Sequence, residues 1–408
     1  MYPTLSDFLK DVFNINVRLP IQSYGLMMAL AFIGAWLVAY YEMKRKEREG
    51  KFIEVYIKQV VGKPASVWEL LVNLLLIWFL MYKIFGIFVE YDKFVANPED
   101  YILSWQGAYG VLSFIISALY TAYYWWKKDK SKLPKPKIEY KKVMPHELLG
   151  NIIIVAGVAG LIGAKVFDSL SNYKDYRTFE LFTNFKEAWP IFRDMFFSFS
   201  GLAFLGGLIF GSVAVIWYLK KYNINIMQMT DVAALALPLA YAIGRIGCQV
   251  SGDGCWGIPN PSPKPHWLSF LPDWLWAYDY PHNVLHVKLV QPVYPTPLYE
   301  MSLMFLVFLV LWAIRKRVKY PGILFSLYLI LAGIERFFIE FIRHNTKFHI
   351  LGTYLTQAQI ISIIMIITGI IGLIFIYKHK EKIIQWSTPK LKPINKNPNN
   401  DQSSSSNS

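Results

Sequence analysis

Apolar stretches of about twenty residues recur along the chain, separated by shorter polar segments; about 20 apolar residues are what an α-helix needs to cross ~30 Å of hydrocarbon. Nine stretches qualify, at roughly 24–41, 67–89, 106–126, 148–167, 195–219, 229–250, 297–314, 321–342 and 354–377. The run 151–166 is Ile, Val, Ala, Gly and Leu almost throughout. The runs are too long for barrel strands and lack their alternation. The pattern therefore predicts an all-α polytopic membrane protein with about nine transmembrane helices. Residues 387–408 are mostly Pro, Asn, Lys and Ser. Such a segment cannot bury a core and is expected to be a disordered cytoplasmic tail after a membrane domain over 1–386.

Composition narrows the class. Of 408 residues, 54 % are hydrophobic and only 17 % charged, too few to surface two or three soluble domains. Two cysteines exclude a disulfide scaffold. The net charge of +14 would suit nucleic acid, but the cations sit in alternate loops. Residues 44–63 hold seven Lys/Arg and residues 127–142 hold eight lysines, whereas the intervening loop holds only Lys93. Lys220, Lys221, Arg315, Lys316, Arg317, Lys319 and the lysines from Lys378 onward fall on the same side as the two basic loops. The positive-inside rule then puts the N-terminus outside and the C-terminus in the cytoplasm. The charge is read as topology and contact with anionic lipid, with no nucleic-acid partner. Met1 to Asp11 lack a basic n-region, so no cleavable signal peptide is expected.

Ionisable groups inside a bilayer cost roughly 2.5–3.5 kcal/mol each on the insertion scale and so need a reason. Arg245 lies near the outer end of the sixth run, and Glu335, Arg336 and Glu340 lie in the eighth, with Arg343 at its edge. Lys165 and Asp168 close the fourth run, Tyr299 and Glu300 open the seventh, and Tyr24 opens the first. On the topology above all of these fall in the outer half of the membrane. The bland alternative is helix–helix ion pairing or snorkelling, and it is preferred for Lys165 and Arg343. It is not preferred for Arg245 and Arg336. Two arginines without an obvious equal number of dedicated acids suit an anionic ligand, and a guanidinium fork binds phosphate bidentately. Glu340 stands one turn from both Arg336 and Arg343 and could hold either.

Glycines cluster in the fifth run, from Gly201 to Gly207, and around Arg245, at Gly244 and Gly247. They serve close helix packing or free backbone N–H groups for a head group. The outer segment 251–296 is long and carries Trp256, Trp267, Trp274 and Trp276. It reads as an interfacial arm or as a surface cap. Cys248 and Cys255 are both near the outside, so a disulfide is an open alternative. The seven histidines show no metal-ligand spacing. His282, His286 and His344 lie outside and could reach the site.

Several segments together resemble the bacterial prolipoprotein diacylglyceryl transferase family. They are Tyr24-Gly25-Leu26, Gly163-Ala164-Lys165, Gly201 to Leu208, Asp231 with Pro238 to Gly257, Pro295 to Glu300, and Arg336 to Arg343. Each is short; their order and joint presence make the resemblance specific. The departures are Leu205 for the family's histidine, Cys248 for its signature asparagine, Gln249 for phenylalanine, Ser251 for the second asparagine and Asp253 for glutamate. The second and third runs, about 42–142, look like an insertion.

The resemblance implies transfer of a diacylglyceryl group from phosphatidylglycerol to the lipobox cysteine of preprolipoproteins, with glycerol phosphate leaving. It implies a multi-pass enzyme of the bacterial inner membrane, its site facing the outer leaflet and periplasm. It implies no metal or organic cofactor. Arg245, Arg336, Tyr24 and Asp253 are the implied catalytic residues. Gly206, Gly207, Gly247, Cys248, Gln249, Tyr299, Glu300, Glu340 and Arg343 are the implied substrate-binding residues. Leu205 cannot act as a base. Asp253, Glu300, Glu340, an outer histidine, or acidification of the thiol by the arginines remain open as substitutes. Two other classes stay in view: a binding-only homologue for lipid or signal peptide, and a transporter of an anionic solute.

Overall fold

In the computed structural model the described residues are 1–96, 101–102, 104–134, 136–171, 204–345, 347–350 and 353–388. Nine long helices fall on the nine predicted runs: α2 (Ser23–Arg48), α3 (Val67–Val89), α5 (Gly110–Lys130), α6 (Leu149–Ser171), α7 (Phe204–Lys221), α8 (Ile226–Ser251), α9 (Thr296–Ile314), α10 (Ile323–Ile339) and α11 (Gln357–Lys378). The described residues also form short helices α1 (Leu5–Phe13), α4 (Tyr91–Ala96) and α12 (Lys380–Ser387). Among the described residues, six regions are long and apolar enough to cross a membrane: those of α2, α3, α6, α8, α9 and α11. Of the others, α5 is rich in Tyr and Trp, α7 is described only from Phe204, and α10 has 17 residues. The structure thus supports a multi-pass helical membrane protein. Gly201, the start of the fifth run and most of the predicted tail lie outside the described residues.

The sequence reading held no strands, yet two small antiparallel ribbons are present. β1 (Val55–Val61) pairs with β2 (Lys137–Val143), and β3 (Lys347–Ile350) with β4 (Thr353–Thr356). The lysines of the first ribbon mask its alternation. In the second, Thr356 ends the ribbon and caps α11, its hydroxyl accepting from the Gln359 amide while Gln359 reaches back to the Thr356 N–H. That reciprocal cap starts α11 at Gln357 rather than earlier.

Helix α8 is the centre of the bundle. It packs against α2, α9 and α10, with Val232, Ala234 and Leu235 fully buried. α6 pairs with α7, α10 with α11, and α3 with α5. One end of the bundle is locked by charge. Lys46 on α2 donates to Gln228 (2.8 Å) and pairs with the buried Asp231 of α8 (3.4 Å). Asp231 in turn accepts the N–H groups of Gly322 (3.0 Å) and Phe325 (3.3 Å), capping α10. Glu42 holds Arg45 and Arg315 (3.4 Å) at the same end.

The α6–α7 contact depends on glycine. A Cβ on Gly206 would sit 2.3 Å from the Gly163 carbonyl oxygen and 2.3 Å from the Phe167 Cβ. Neither can yield without parting the helices. Gly206→Val is therefore expected to destabilise by at least about 1–3 kcal/mol, the usual cost of overpacking. A lowered thermal midpoint of the detergent-solubilised variant checks this.

Candidate active site

At the bundle end opposite the Lys46–Asp231 lock, four chain segments meet: the start of α2, the end of α8, the start of α9 and the end of α10. α9 opens with Thr296 and Pro297, whose fixed φ suits a first helical turn. This sets Glu300 on the face turned into the bundle, where its side chain is 0 % exposed. Three arginines converge on its carboxylate. Arg245 of α8 pairs with Oε2, while Arg336 of α10 (3.2 Å) and Arg343 just beyond α10 (2.9 Å) reach Oε1. Tyr241, one turn before Arg245, donates its hydroxyl proton to Glu300 Oε2 (2.7 Å) and accepts from Arg245 Nη2 (3.0 Å). Glu340 pairs with Arg336 Nη2 (3.0 Å) and accepts from Asn345 (2.5 Å). Glu335 is buried nearby; its Oε1 has no hydrogen-bond partner among the described residues.

Each guanidinium carries five N–H donors. Three of them meet only two paired carboxylates, so the group has donor capacity left over. Arg336 is the most open of the three, its side chain 25 % exposed. Three fixed cations sharing one buried anion form a pre-arranged receptor for a further anion.

Residues 251–296 are tied to this group at defined points. The chain at Gly257 bridges that at Arg343, and the Ile258 N–H donates to the Ile342 carbonyl (2.9 Å). This bridge places Arg343 in the group. A Cβ on Gly257 would lie 2.4 Å from the Ile342 oxygen, so the approach needs glycine. For Arg343, burial lowers the guanidinium pKa, Glu300 raises it, and the balance lies above the ordinary arginine value. Thr296 donates to the Cys255 carbonyl (2.8 Å), Tyr280 to Gln249 Oε1 (2.8 Å), and Tyr299 to the Leu275 carbonyl (2.5 Å). The segment is thus strapped over the bundle end.

The predicted residues divide. Arg245, Arg336, Glu300, Glu340 and Arg343 are one ion-pair group. Arg343 belongs to it as an ion-pair partner, one of the two structural roles, pairing or snorkelling, that the sequence suggests for it, and the arginines do have a dedicated acid in Glu300. Cys248 stands beside the group, its Sγ 3.8 Å from Arg245 Nη1. Tyr24 packs on Gly247, where a Cβ would lie 3.4 Å from its ring and 3.0 Å from the Met27 Cβ. Asp253 accepts the Cys255 N–H (3.1 Å). Gln249 and Tyr299 face residues 251–296, at Tyr280 and Leu275. Gly206 and Gly207 face α6, and Lys165 and Asp168 are buried on α6. His282, His286 and His344 are exposed. Tyr241 and Asn345 were not singled out from sequence; a tyrosine one helical turn before an intramembrane arginine is the signal that finds the first. Cys248, Asp253 and Cys255 present three side-chain donor atoms within 4.8 Å of one another, a cluster that histidine spacing alone did not reveal.

Comparison with known proteins identifies the family. The family model for prolipoprotein diacylglyceryl transferase matches residues 99–375, which leaves α2 and Tyr24 outside the match. A phosphatidylglycerol–prolipoprotein diacylglyceryl transferase of Clostridioides difficile (strain 630) is 36 % identical over 234 residues, 57 % of this chain and 80 % of that protein. One from Leptospira interrogans (serovar copenhageni) is 30 % identical over 267 residues, 62 % of this chain and 75 % of its own. One from Campylobacter hominis is 26 % identical over 297 residues, 72 % of this chain and 94 % of its own.

Proposed function

The chain belongs to the prolipoprotein diacylglyceryl transferase family, and on that premise we propose that it moves the sn-1,2-diacylglyceryl group of phosphatidylglycerol onto the lipobox cysteine of preprolipoproteins. This is the first step of bacterial lipoprotein maturation. The observation that carries the reading is the convergence of Arg245, Arg336 and Arg343 on Glu300 at one end of the bundle. In the reaction the substrate sulfur forms a bond to the glycerol carbon, and the carbon–oxygen bond to phosphate breaks. The electron pair leaves with glycerol phosphate, and the thiol proton passes to a base. Negative charge therefore grows on the phosphate as the bond breaks. Arg245 and Arg336 stabilise it there, more strongly in the transition state than in the bound lipid. Glu300 holds these two in place and Glu340 holds Arg336 as well, while Arg343 shares the Glu300 carboxylate; Tyr24 hydrogen-bonds the phosphate or the thiol. Asp253 orients the turn after α8.

The positive-inside distribution supports a site that faces the outer leaflet and periplasm, with the N-terminus outside. There the donor's phosphate lies at the depth of the arginines, and a signal peptide enters from the same bilayer. Residues 42–142 are an insertion in this reading; supporting it, α3 and α5 pack chiefly on each other. The substrate thiol, of ordinary pKa ~8.5, has to lose its proton to attack. Leu205 cannot accept it, and the cations of the site favour the thiolate.

The test is direct. Purified protein, phosphatidylglycerol and a lipobox peptide are expected to give a peptide heavier by one diacylglyceryl group, with no gain in the Cys→Ser peptide. Retained lipid or peptide without a covalent product, across a panel of phospholipid donors, would replace transfer by binding alone. Solute flux in proteoliposomes without product would favour the transporter.

A further inference from the structure

We propose that Cys248 and Cys255 form a redox dithiol, closing into an intrachain disulfide by exchange with an external disulfide at the edge of the arginine group. They are the only cysteines in the chain. Both are free thiols in the structure, their sulfurs within 4.8 Å of one another. The chain between them is built to bring them together. α8 ends at Ser251, and Gly252 (φ +65°) and Gly254 (φ +88°) take left-handed conformations that turn it back on itself. Asp253 closes the turn by accepting the Cys255 N–H, and Thr296 holds the Cys255 carbonyl. The two sulfurs are thus presented to each other by a turn fixed at both ends.

A metal is the competing use of this cluster, and the surroundings disfavour it. Among the described residues only three donor atoms gather. The Arg245 guanidinium lies 3.8 Å from the Cys248 sulfur, so an incoming cation would meet a fixed positive charge. The same charge favours thiolate, the species that exchanges with disulfides. The two sulfurs also differ in access. Cys248 is buried and Cys255 half-buried. An external disulfide reaches the more open sulfur first, so Cys255 is the attacking sulfur and Cys248 the resolving one. The Cys255 thiolate attacks one sulfur of the external disulfide and expels the first thiolate. The Cys248 sulfur then attacks Cys255 in the mixed disulfide and expels the second. The external disulfide leaves as two thiols, carrying the two electrons and two protons that the dithiol gives up. The proposed topology supplies the oxidant, because the periplasmic side is the disulfide-forming one. The chemistry itself does not depend on the transfer reaction.

The closed form would change the site. Cys248 accepts from Arg245 as a thiol, and in the disulfide its sulfur is turned toward Cys255. Oxidation therefore reaches a residue placed on the substrate phosphate.

The experiment exposes the full chain in detergent to glutathione buffers from fully reduced to fully oxidised. It is followed by an acid quench, maleimide labelling and intact mass. Two labels under reducing conditions and none under oxidising ones are expected. The tryptic peptide beginning at Ile246 holds both cysteines and should lose two hydrogens on oxidation. Cys248→Ser should trap one glutathione on Cys255, whereas Cys255→Ser should stay unmodified at its buried thiol. Two labels across the whole range, or a stable glutathione adduct on the unaltered chain, would overturn the proposal. So would protection of both thiols by equimolar Zn²⁺ under reducing conditions with no disulfide under oxidising ones. Labelling is independent of turnover, so failure here is distinct from failure of the transferase reading.

Discussion

Replacing Arg336 by alanine is expected to lower the rate of diacylglyceryl transfer by at least about 10²–10³-fold, the loss seen when one positioned donor to a developing oxyanion is removed. Arg245→Ala is expected to do the same. The loss should fall on kcat as well as on kcat/KM, because charge on the leaving phosphate peaks in the transition state. Arg336→Lys should recover little. A lysine keeps the charge but cannot hold Glu300 with one nitrogen, Glu340 with another, and still present a fork to phosphate. The measurement is the initial rate of lipobox-peptide modification in mixed micelles, with each variant's thermal midpoint taken alongside. Full activity in either alanine variant would remove that arginine from the reaction. A rate loss accompanied by an equal loss of folded protein would assign the arginine to the bundle instead.

The hydrophobic pattern located the nine long helices because each must bury or span with about 20 apolar residues, a local property. It also placed Tyr24, Arg245, Glu300 and Arg336 at one end, since alternate helices run in opposite directions. What it could not give was who faces whom. Tyr299 and Glu300 are neighbours in sequence, yet one turns to the Leu275 carbonyl and the other into the bundle. Adjacent helical positions point about 100° apart, and only the packing of α8 and α10 decides which direction is inward. The arginines therefore looked short of acids until α9 delivered Glu300. For Arg343 the pattern leaves ion pairing and snorkelling both open, because its place is fixed by a backbone bridge to Gly257, a contact between distant parts of the chain. The same holds for Asp231, which lay in a recognised segment but whose work is to pair with Lys46 and cap α10. Cys248 and Cys255 were open to several uses until the turn between them was seen. Leu205 raised the question of the base, and the structure leaves several acids and no histidine in the group.

Glu300→Gln separates the two tasks a carboxylate could have there. If Glu300 organises the site, its loss leaves three guanidiniums facing one another with no shared anion, in a buried position. Removing one partner from a buried ion pair typically costs about 3–5 kcal/mol. The variant is expected to lose stability on that scale, seen as a lower thermal midpoint in detergent, and to lose transfer with it. Glutamine cannot bind three cations, although it keeps the shape. Arg343→Gln added to Glu300→Gln should then recover part of the lost stability, because it removes one of the unbalanced charges. A double-mutant cycle on the midpoints reads that coupling, expected at roughly 0.5–3 kcal/mol for residues in direct contact. The opposite outcome is equally readable. Should Glu300→Gln keep the thermal midpoint while transfer disappears, the carboxylate is the base that takes the substrate's thiol proton, and the arginines are held by something else. The first outcome is favoured by geometry: both Glu300 oxygens already accept from arginines and Tyr241, which leaves little room for a proton from a substrate.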